Sequence, residues 1–158
     1  MLRFQLFNLE LNEGLVQSCA TGLDADPFDD VCDHLLVEHL PSKQIVGTYR
    51  LQTGLNAANN LGYDSVQEFG FAVFEPSRAE IIELGRACVH RRHRNLIVLG
   101  MLWKGIANYS KTRGARYLLG CSSITSQVAA VGASVFTEFC RKKKPGVTGL
   151  ADAANAKI

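Results

Sequence analysis

The sequence predicts an α/β (α+β) fold in which helices and a sheet pack as layers. Two short apolar runs on either side of a proline-bearing turn indicate a hairpin. A strand-like run at residues 80–89 leads into the strongest helical pattern in the chain, residues 94–112. A further strand pattern at 116–124 and a helical pattern at 126–141 follow. Hairpin, strand, helix, strand and helix in this order are typical of a layered domain.

The first predicted element is a helix over residues 2–11, with Leu2, Leu6 and Leu9 on one side. It begins without a capping residue, so we expect that a preceding segment is missing. Residues 12–21 are predicted to form a loop.

The hairpin comprises residues 35–40 and 45–51, joined by the turn 41–44. Arg50 lies in its second strand, where an arginine is more often exposed at an edge than functional. Residues 52–68 are rich in glycine and asparagine and predict a long irregular connection. An apolar patch follows, either core or the lining of an acyl channel: Phe69, Phe71, Val73 and Phe74.

The length of 158 residues fits one domain, and we expect it to span residues 1–140, with 141–158 as a loose tail. The five cysteines show no C-x-x-C spacing, which disfavours a disulfide scaffold or a zinc site and favours reduced thiols in the cytoplasm. No secretion leader and no membrane-spanning run is evident. We expect no metal site and a cytoplasmic protein.

Charge is unevenly distributed although the net charge is only +2. Residues 1–40 hold eight acidic side chains and one basic one, whereas residues 84–137 hold eight Lys or Arg and no acid. These could be two solvated faces, or the two ends of a cleft that holds a cation and an anion. No Phe, Tyr or Trp interrupts the run of arginines and histidines at residues 90–94, so we expect no nucleic-acid partner.

Five aspartates lie within ten residues, at positions 24, 26, 29, 30 and 33. The spacing lacks the central glycine and closing glutamate of a calcium loop. They could cap turns or hold a cationic substrate.

The run from Glu83 to Leu99 organises the chain, because a strand there ends in cations and feeds a helix. Free N–H groups and the dipole at a helix N-terminus favour an anion. Residues 91–96 join this strand to the helix, and we call them the cationic bend. Its arginine side chains would add charge-assisted hydrogen bonds. The bend therefore predicts a site for a phosphate-bearing acyl donor.

Four segments in order resemble the GNAT acyltransferase superfamily: residues 28–37, 46–51, 83–90 and 118–123. Within it they resemble the ornithine-lipid N-acyltransferases and N-acyl amino acid synthases, a branch similar to the acyl-homoserine-lactone synthases. The resemblance implies a mixed, mostly antiparallel sheet flanked by helices, here without its first strand and part of its C-terminal sheet. It also implies transfer of a fatty acyl group from acyl carrier protein to the amine of an amino acid such as ornithine, forming an amide. The residues that match the shared pattern are Arg3, Asp26, Asp29, Arg50, Glu83 and Arg86.

Glu83 and Arg86 are the candidate catalytic residues. Glu83 is the candidate base, because an amine attacks a thioester only after it loses a proton. Its alternative role is a strand carboxylate paired with Arg86. A bulge at Gly85 would bring Glu83 and Arg86 to one face and free an N–H for the thioester carbonyl. The expected binding residues for the acceptor substrate are Arg3, Asp26, Asp29, Asp33 and Arg50.

The donor phosphate is expected at the bend, which lacks the glycines that wrap a pyrophosphate in most GNAT proteins. This difference disfavours coenzyme A and favours the single phosphate of acyl-phosphopantetheine on acyl carrier protein, as a donor substrate with no permanently bound cofactor. The basic stretch would also face the acidic carrier protein. The expected phosphopantetheine-binding residues are Arg91, Arg92, Arg94, Asn95 and Leu96.

Two other functions stay open. An autoinducer synthase would need S-adenosylmethionine and a tryptophan in an N-terminal loop, yet the single tryptophan is Trp103 in the predicted helix. A non-catalytic remnant that binds a carrier protein is the other alternative. We also expect a loose association with a membrane surface through the lipid product.

Overall fold

The computed structural model describes residues 1–121 and 128–141. The predicted tail at 142–158 and the end of the predicted strand at 116–124 lie outside the described residues. The chain divides into one unit of Met1–Asp64 with Ser77–Gly120, and another of Ser65–Pro76 with the residues after 120. The predicted boundary at residue 140 stays a prediction.

A four-stranded mixed sheet forms the centre of the first unit. Its strands are β1 (Asp33–His39), β2 (Gln44–Thr53), β3 (Ile81–Val89) and β4 (Tyr117–Leu119), in the order β1-β2-β3-β4. The first three are antiparallel to one another, and β4 runs parallel to β3. The prediction of a mixed, mostly antiparallel sheet flanked by helices is confirmed.

Five α-helices accompany the sheet in the described part of the chain. They are α1 (Leu2–Phe4), α2 (Ser18–Thr21), α3 (Gly54–Asn59), α4 (Leu96–Thr112) and α5 (Ala129–Arg141). α1 continues as a π-helical segment, Gln5–Glu10. The first helix is therefore helical as predicted, but most of it is π-helix and not α-helix. Four 3₁₀ segments complete the description: Pro27–Asp30, Asp64–Gln67, Ala72–Glu80 and Arg91–His93.

The connection after β2 is more regular than the sequence predicted. α3 begins where the Thr53 hydroxyl accepts the Asn56 N–H, 3.1 Å away, as an N-cap. Gly54 permits this start, because a Cβ there would overlap the main-chain oxygen of Arg78. The irregular connection predicted for residues 52–68 is therefore wrong over α3 and over Asp64–Gln67.

α4 packs on the hairpin and supplies the core. The Asn95 side chain caps it by accepting the N–H groups of Ile97 and Val98, both at 3.0 Å. Val98, Leu102 and Ile106 recur at helical spacing and are buried. A buried cluster joins the helix to the strands: Val37, Val46, Val98 and Leu102.

β3 is irregular close to the predicted bulge. Thr48 pairs with Cys88 while Arg50 pairs with Gly85, so two residues of β3 lie opposite Tyr49 alone. The strain falls on Arg86, with φ of 48°, one residue after the predicted position. β4 pairs with β3 from Ile81 to Glu83 in the described residues, and Gly120, just beyond β4, still lies close to the Leu84 carbonyl.

Candidate active site

Seven charged side chains from separate parts of the chain meet beside β2 and β3. We call them the charged cluster: Arg3, Asp24, Asp26, Asp29, Arg50, Asp64 and Arg86. Three guanidinium groups face four carboxylates, so the cluster carries one excess negative charge. Its members come from α1, the loop before β1, β2, the turn after α3 and β3.

Arg3 bridges two aspartates of the loop. Its Nε and Nη2 atoms donate to Asp24 Oδ1, at 3.0 and 2.8 Å. Its Nη1 and Nη2 atoms donate to Asp29, at 2.5 and 2.8 Å. These fork-shaped contacts fix α1 against the loop with a defined orientation.

Arg50 lies at the centre of the cluster and is only 3% exposed. Its Nη1 donates to Asp26 at 2.6 Å and to Asp29 at 3.2 Å, and its Nη2 donates to Asp64 at 2.6 Å. The interpretation of Arg50 as an arginine exposed at a strand edge is therefore wrong. Burial lowers the pKa of Arg50, but the hydrogen bond to Asp26 and the charges of Asp26, Asp64 and Asp29 together outweigh burial and raise it.

Asp26 and Asp29 cap a turn, which is one of the two roles considered from the sequence; the other, holding a cationic substrate, stays a prediction. Asp26 Oδ1 accepts the Phe28 N–H and Asp29 Oδ2 accepts the Asp26 N–H, both at 2.9 Å, which forms a capping box. Burial alone would raise the pKa of Asp29, but the hydrogen bonds from Arg3 and from the Asp26 N–H lower it to about 2. The capping box and the ion pair thus hold Asp29 in its ionised form.

Arg86 reaches the same aspartates from β3. Its Nη2 donates to Asp26 Oδ2 at 3.3 Å, and its Nη1 lies 3.6 Å from Asp24 Oδ2. Its guanidinium carbon lies 5.5 Å from the centre of the Phe7 ring. The positive φ at Arg86 turns its side chain toward the face that carries Arg50.

Glu83 is buried, with 3% of its surface exposed. Its Oε2 accepts Gln52 Nε2 at 2.5 Å and the main-chain N–H of Asp64 at 3.1 Å. Gln52 lies directly opposite Glu83 in the β2–β3 register, and its Nε2 also donates to the Gly62 carbonyl at 3.1 Å. The carboxylate is held in place on the residue that pairs with Leu119, the last residue of β4.

Asp33 lies apart from the charged cluster. It begins β1 and accepts the Tyr109 hydroxyl at 2.6 Å and Arg113 Nη2 at 3.4 Å. Burial and the bond to Asp33 raise the pKa of Tyr109 to about 12. Asp33 therefore joins β1 to the end of α4.

The cationic bend borders two cavities. Arg91 lines one of about 560 Å³, together with apolar side chains of the first helix, among them Leu2 and Leu6. Arg94, Asn95 and Leu96 line another of about 460 Å³. Val89, the last residue of β3, lines both.

Some hydrogen-bonding groups of the cationic bend already have partners within the protein. Arg94 Nη1 and Nη2 donate to the Glu10 carboxylate. The Asn95 side chain takes two N–H groups of α4 that an anion would otherwise use. His90 Nδ1 accepts the Arg92 N–H at 3.3 Å.

Three residues of the site were not singled out from the sequence as partners of this chemistry: Asp24, Asp64 and Gln52. Asp24 was visible only as one member of the acidic loop. Gln52 follows Arg50 by two residues, so strand alternation could have placed it on the same face. Nothing in the local sequence around Asp64 marks it.

Comparisons with known proteins identify the family of the chain. Residues 2–104 match the family model described as an acetyltransferase (GNAT) domain. The chain is 37% identical over 131 residues to an L-ornithine N(alpha)-acyltransferase of Brucella abortus (strain 2308), covering 75% of this chain and 46% of that protein. It is 34% identical to the protein of the same name from Agrobacterium fabrum (strain C58 / ATCC 33970), covering 77% and 44%. The chain thus spans about half the length of these curated relatives.

The fold is also similar to a solved structure. TofI, in a ternary complex with an inhibitor and MTA, superimposes with a TM-score of 0.54 at 22% identity, covering 88% of this chain and 66% of TofI. That likeness concerns the fold alone. The family match covers residues 2–104 and so includes the whole charged cluster, Glu83 and the cationic bend. The chain belongs to the GNAT acetyltransferase-domain family.

Proposed function

We propose that this chain transfers a fatty acyl group from acyl carrier protein to the α-amine of an amino acid such as ornithine, forming an amide. The observation that carries the proposal is the Glu83 carboxylate, which is buried on the strand between β2 and β4 and is held by Gln52 and by the Asp64 N–H. The relatives named L-ornithine N(alpha)-acyltransferase support ornithine as the acceptor.

In the proposed reaction, Glu83 takes a proton from the acceptor ammonium, directly or through one water. The neutral amine attacks the thioester carbonyl, and a main-chain N–H of β3 beyond Glu83 stabilises the oxyanion. As the C–S bond breaks, the nitrogen gives up its second proton, which the departing pantetheine thiolate takes directly or through water, and the proton on Glu83 passes to solvent. The products are an N-acyl amino acid and the free carrier-protein thiol.

The charged cluster is the proposed acceptor site. It carries one more carboxylate than guanidinium groups, which favours a cationic amine. Asp64 is the most exposed carboxylate among its ion pairs, at 35%, and its N–H contacts Glu83. An amine that approaches Asp64 therefore lies next to the base, while Arg3, Arg50 and Arg86 hold the aspartates in place through their ion pairs.

The donor is proposed to lie along β3. The strand from Glu83 to Val89 is about 20 Å long at ~3.3 Å per residue. A phosphopantetheine arm could run from the thioester beside Glu83 to its phosphate at the bend, where Arg91, Arg92, Arg94, Asn95 and Leu96 would receive it. We also propose that the protein works in the cytoplasm, where this donor is available.

The test is to incubate the purified chain with long-chain acyl carrier protein and, separately, ornithine, lysine and glycine, and to identify products by mass spectrometry. We expect an N-acyl amino acid, formed fastest from ornithine. A lactone product would instead support an autoinducer synthase. No transfer to any acceptor, from protein that is folded by circular dichroism, would contradict catalysis by this chain.

A further inference from the structure

The outward face of the first two turns of α4 is apolar and exposed. We call it the docking face: Leu96, Ile97, Leu99, Met101 and Trp103. Their exposed fractions are 84%, 74%, 43%, 51% and 47%. The opposite side of the same helix packs on the hairpin through Val98 and Leu102. These turns are therefore apolar all round, whereas a helix on a protein surface normally has a polar outer face.

Cations surround the docking face. Arg91 and Arg92 precede it, and Lys104 and Lys111 follow it on the same helix. The sequence from residue 84 to residue 137 contains no acid at all. Glu10 is the acid that contacts the bend, and both of its oxygens bond to Arg94. This surface is complementary to an anionic one.

The arrangement fits a lipid bilayer better than a protein groove. The apolar side chains spread over a broad arc of the helix and do not form a narrow stripe such as a partner helix would cover. Tryptophan and lysine beside an apolar helical face are typical of helices that lie in the headgroup region. Lysine and arginine favour bilayers that contain anionic lipid.

The docking face is continuous with the bend. Leu96 and Leu99 line the cavity of about 460 Å³ that Arg94 and Asn95 also border. We propose that the first two turns of α4 lie flat on an anionic bilayer. This inference rests on the proposed function in one respect, because an N-acylated amino acid formed beside β3 would leave into the bilayer below the same face.

Trp103 makes the proposal directly measurable, because it is the single tryptophan of the chain. The protein is titrated with vesicles of phosphatidylcholine alone and of equal parts phosphatidylcholine and phosphatidylglycerol, with no substrate present. We expect a blue shift of the tryptophan emission and quenching by bromine-labelled acyl chains with the anionic vesicles, both weakened by added salt.

Matched variants distinguish binding through the docking face from nonspecific adsorption of exposed apolar side chains. Leu96→Asp with Ile97→Asp should lower vesicle partitioning by about tenfold or more, because each puts a charge where an exposed apolar side chain would enter the bilayer. Lys104→Glu with Lys111→Glu should lower it for anionic vesicles only. The control pair, Val16→Asp with Leu61→Asp, removes exposed apolar side chains elsewhere, at 88% and 51%, and should leave it unchanged.

Three outcomes would overturn the proposal. The emission of the folded protein could stay unchanged at saturating lipid. It could shift with protein concentration instead of lipid, which would indicate a face between copies of the chain. It could shift on adding an acidic carrier protein but not vesicles, which would assign the face to that partner. Vesicle binding without acyl transfer would overturn the proposed function and leave the docking face standing.

Discussion

The Glu10 carboxylate accepts two hydrogen bonds from Arg94, at 2.6 Å from Nη1 and 2.8 Å from Nη2. The pair joins the end of the first helix to the cationic bend. A carboxylate in this fork occupies the positions that two phosphate oxygens would take. Both side chains are more than a third exposed, so solvent weakens the pair and a phosphate can replace the carboxylate.

Glu10→Gln should therefore strengthen donor binding several-fold, because Arg94 loses its competing carboxylate. Arg94→Ala should weaken it. Calorimetry with an acyl-phosphopantetheine and with the same compound lacking its phosphate measures both effects, and only the phosphorylated compound should respond. Glu13→Gln, a change at an exposed loop glutamate, serves as the control. Equal affinity of all three variants for the phosphorylated compound would place the phosphate elsewhere.

Glu83→Gln should lower turnover by roughly 10²- to 10⁴-fold, because a carboxamide cannot accept the amine proton. Donor affinity should change little, since Glu83 lies in the interior and near the other end of β3 from the bend. Single-turnover transfer from acyl carrier protein, followed by mass spectrometry, gives the rate. Glu80→Gln, just before the strand, is the matched control. If Glu83→Gln turns over as fast as the parent protein, another group is the base.

The sequence predicts the fold correctly wherever a local hydrophobic pattern determines the secondary structure. The two runs of the hairpin, the strand before the bend and the helix after it all carry a clear period, and each forms within three residues of its predicted ends. α3 was missed because its start depends on a tertiary contact, the close approach of Gly54 to Arg78. The π-helical turn at Gln5–Glu10 has no sequence signature that distinguishes it from an α-helix.

The site was readable only in part. The family resemblance picked out Arg3, Asp26, Arg50 and Arg86, which lie in one ion-pair network. Composition could not separate Asp33 from Asp29, although β1 carries one of them to the end of α4. Asp64 was missed because it joins the network only after α3 reverses the chain.

Asp29 should make the fold sensitive to acid. Its folded-state pKa of about 2 lies below the unfolded value of 3.8, so its stabilisation is fully present above about pH 4 and is lost as the pH falls toward 2. The difference corresponds to about 2 kcal/mol of unfolding free energy.

Urea unfolding between pH 2 and pH 6, roughly the range in which carboxylates titrate, measures this. The free energy of unfolding of the parent protein should fall steeply below pH 4, and Asp29→Asn should show a lower and flatter curve. Asp30→Asn, at the exposed neighbouring residue, should follow the parent. A parent curve that is flat below pH 4 would contradict the ionised network.

Cys88 should be among the least reactive thiols of the described chain, and its labelling should report on the first helix. Burial raises the pKa of Cys88 to about 11, and its Sγ lies 3.6 Å from the Leu2 carbonyl, so α1 covers it. A pKa near 11 leaves roughly a hundredfold less thiolate at pH 8 than an ordinary thiol has. Iodoacetamide with peptide mass spectrometry should label the exposed Cys19 and Cys121 first.

Because the cavity at the bend is lined by the same helix, a phosphopantetheine ligand seated there should slow Cys88 labelling further while leaving Cys19 unchanged. Labelling of Cys88 as fast as that of Cys19 in the folded protein would mean that α1 does not stay on β3, and the route for the donor along that strand would fail with it.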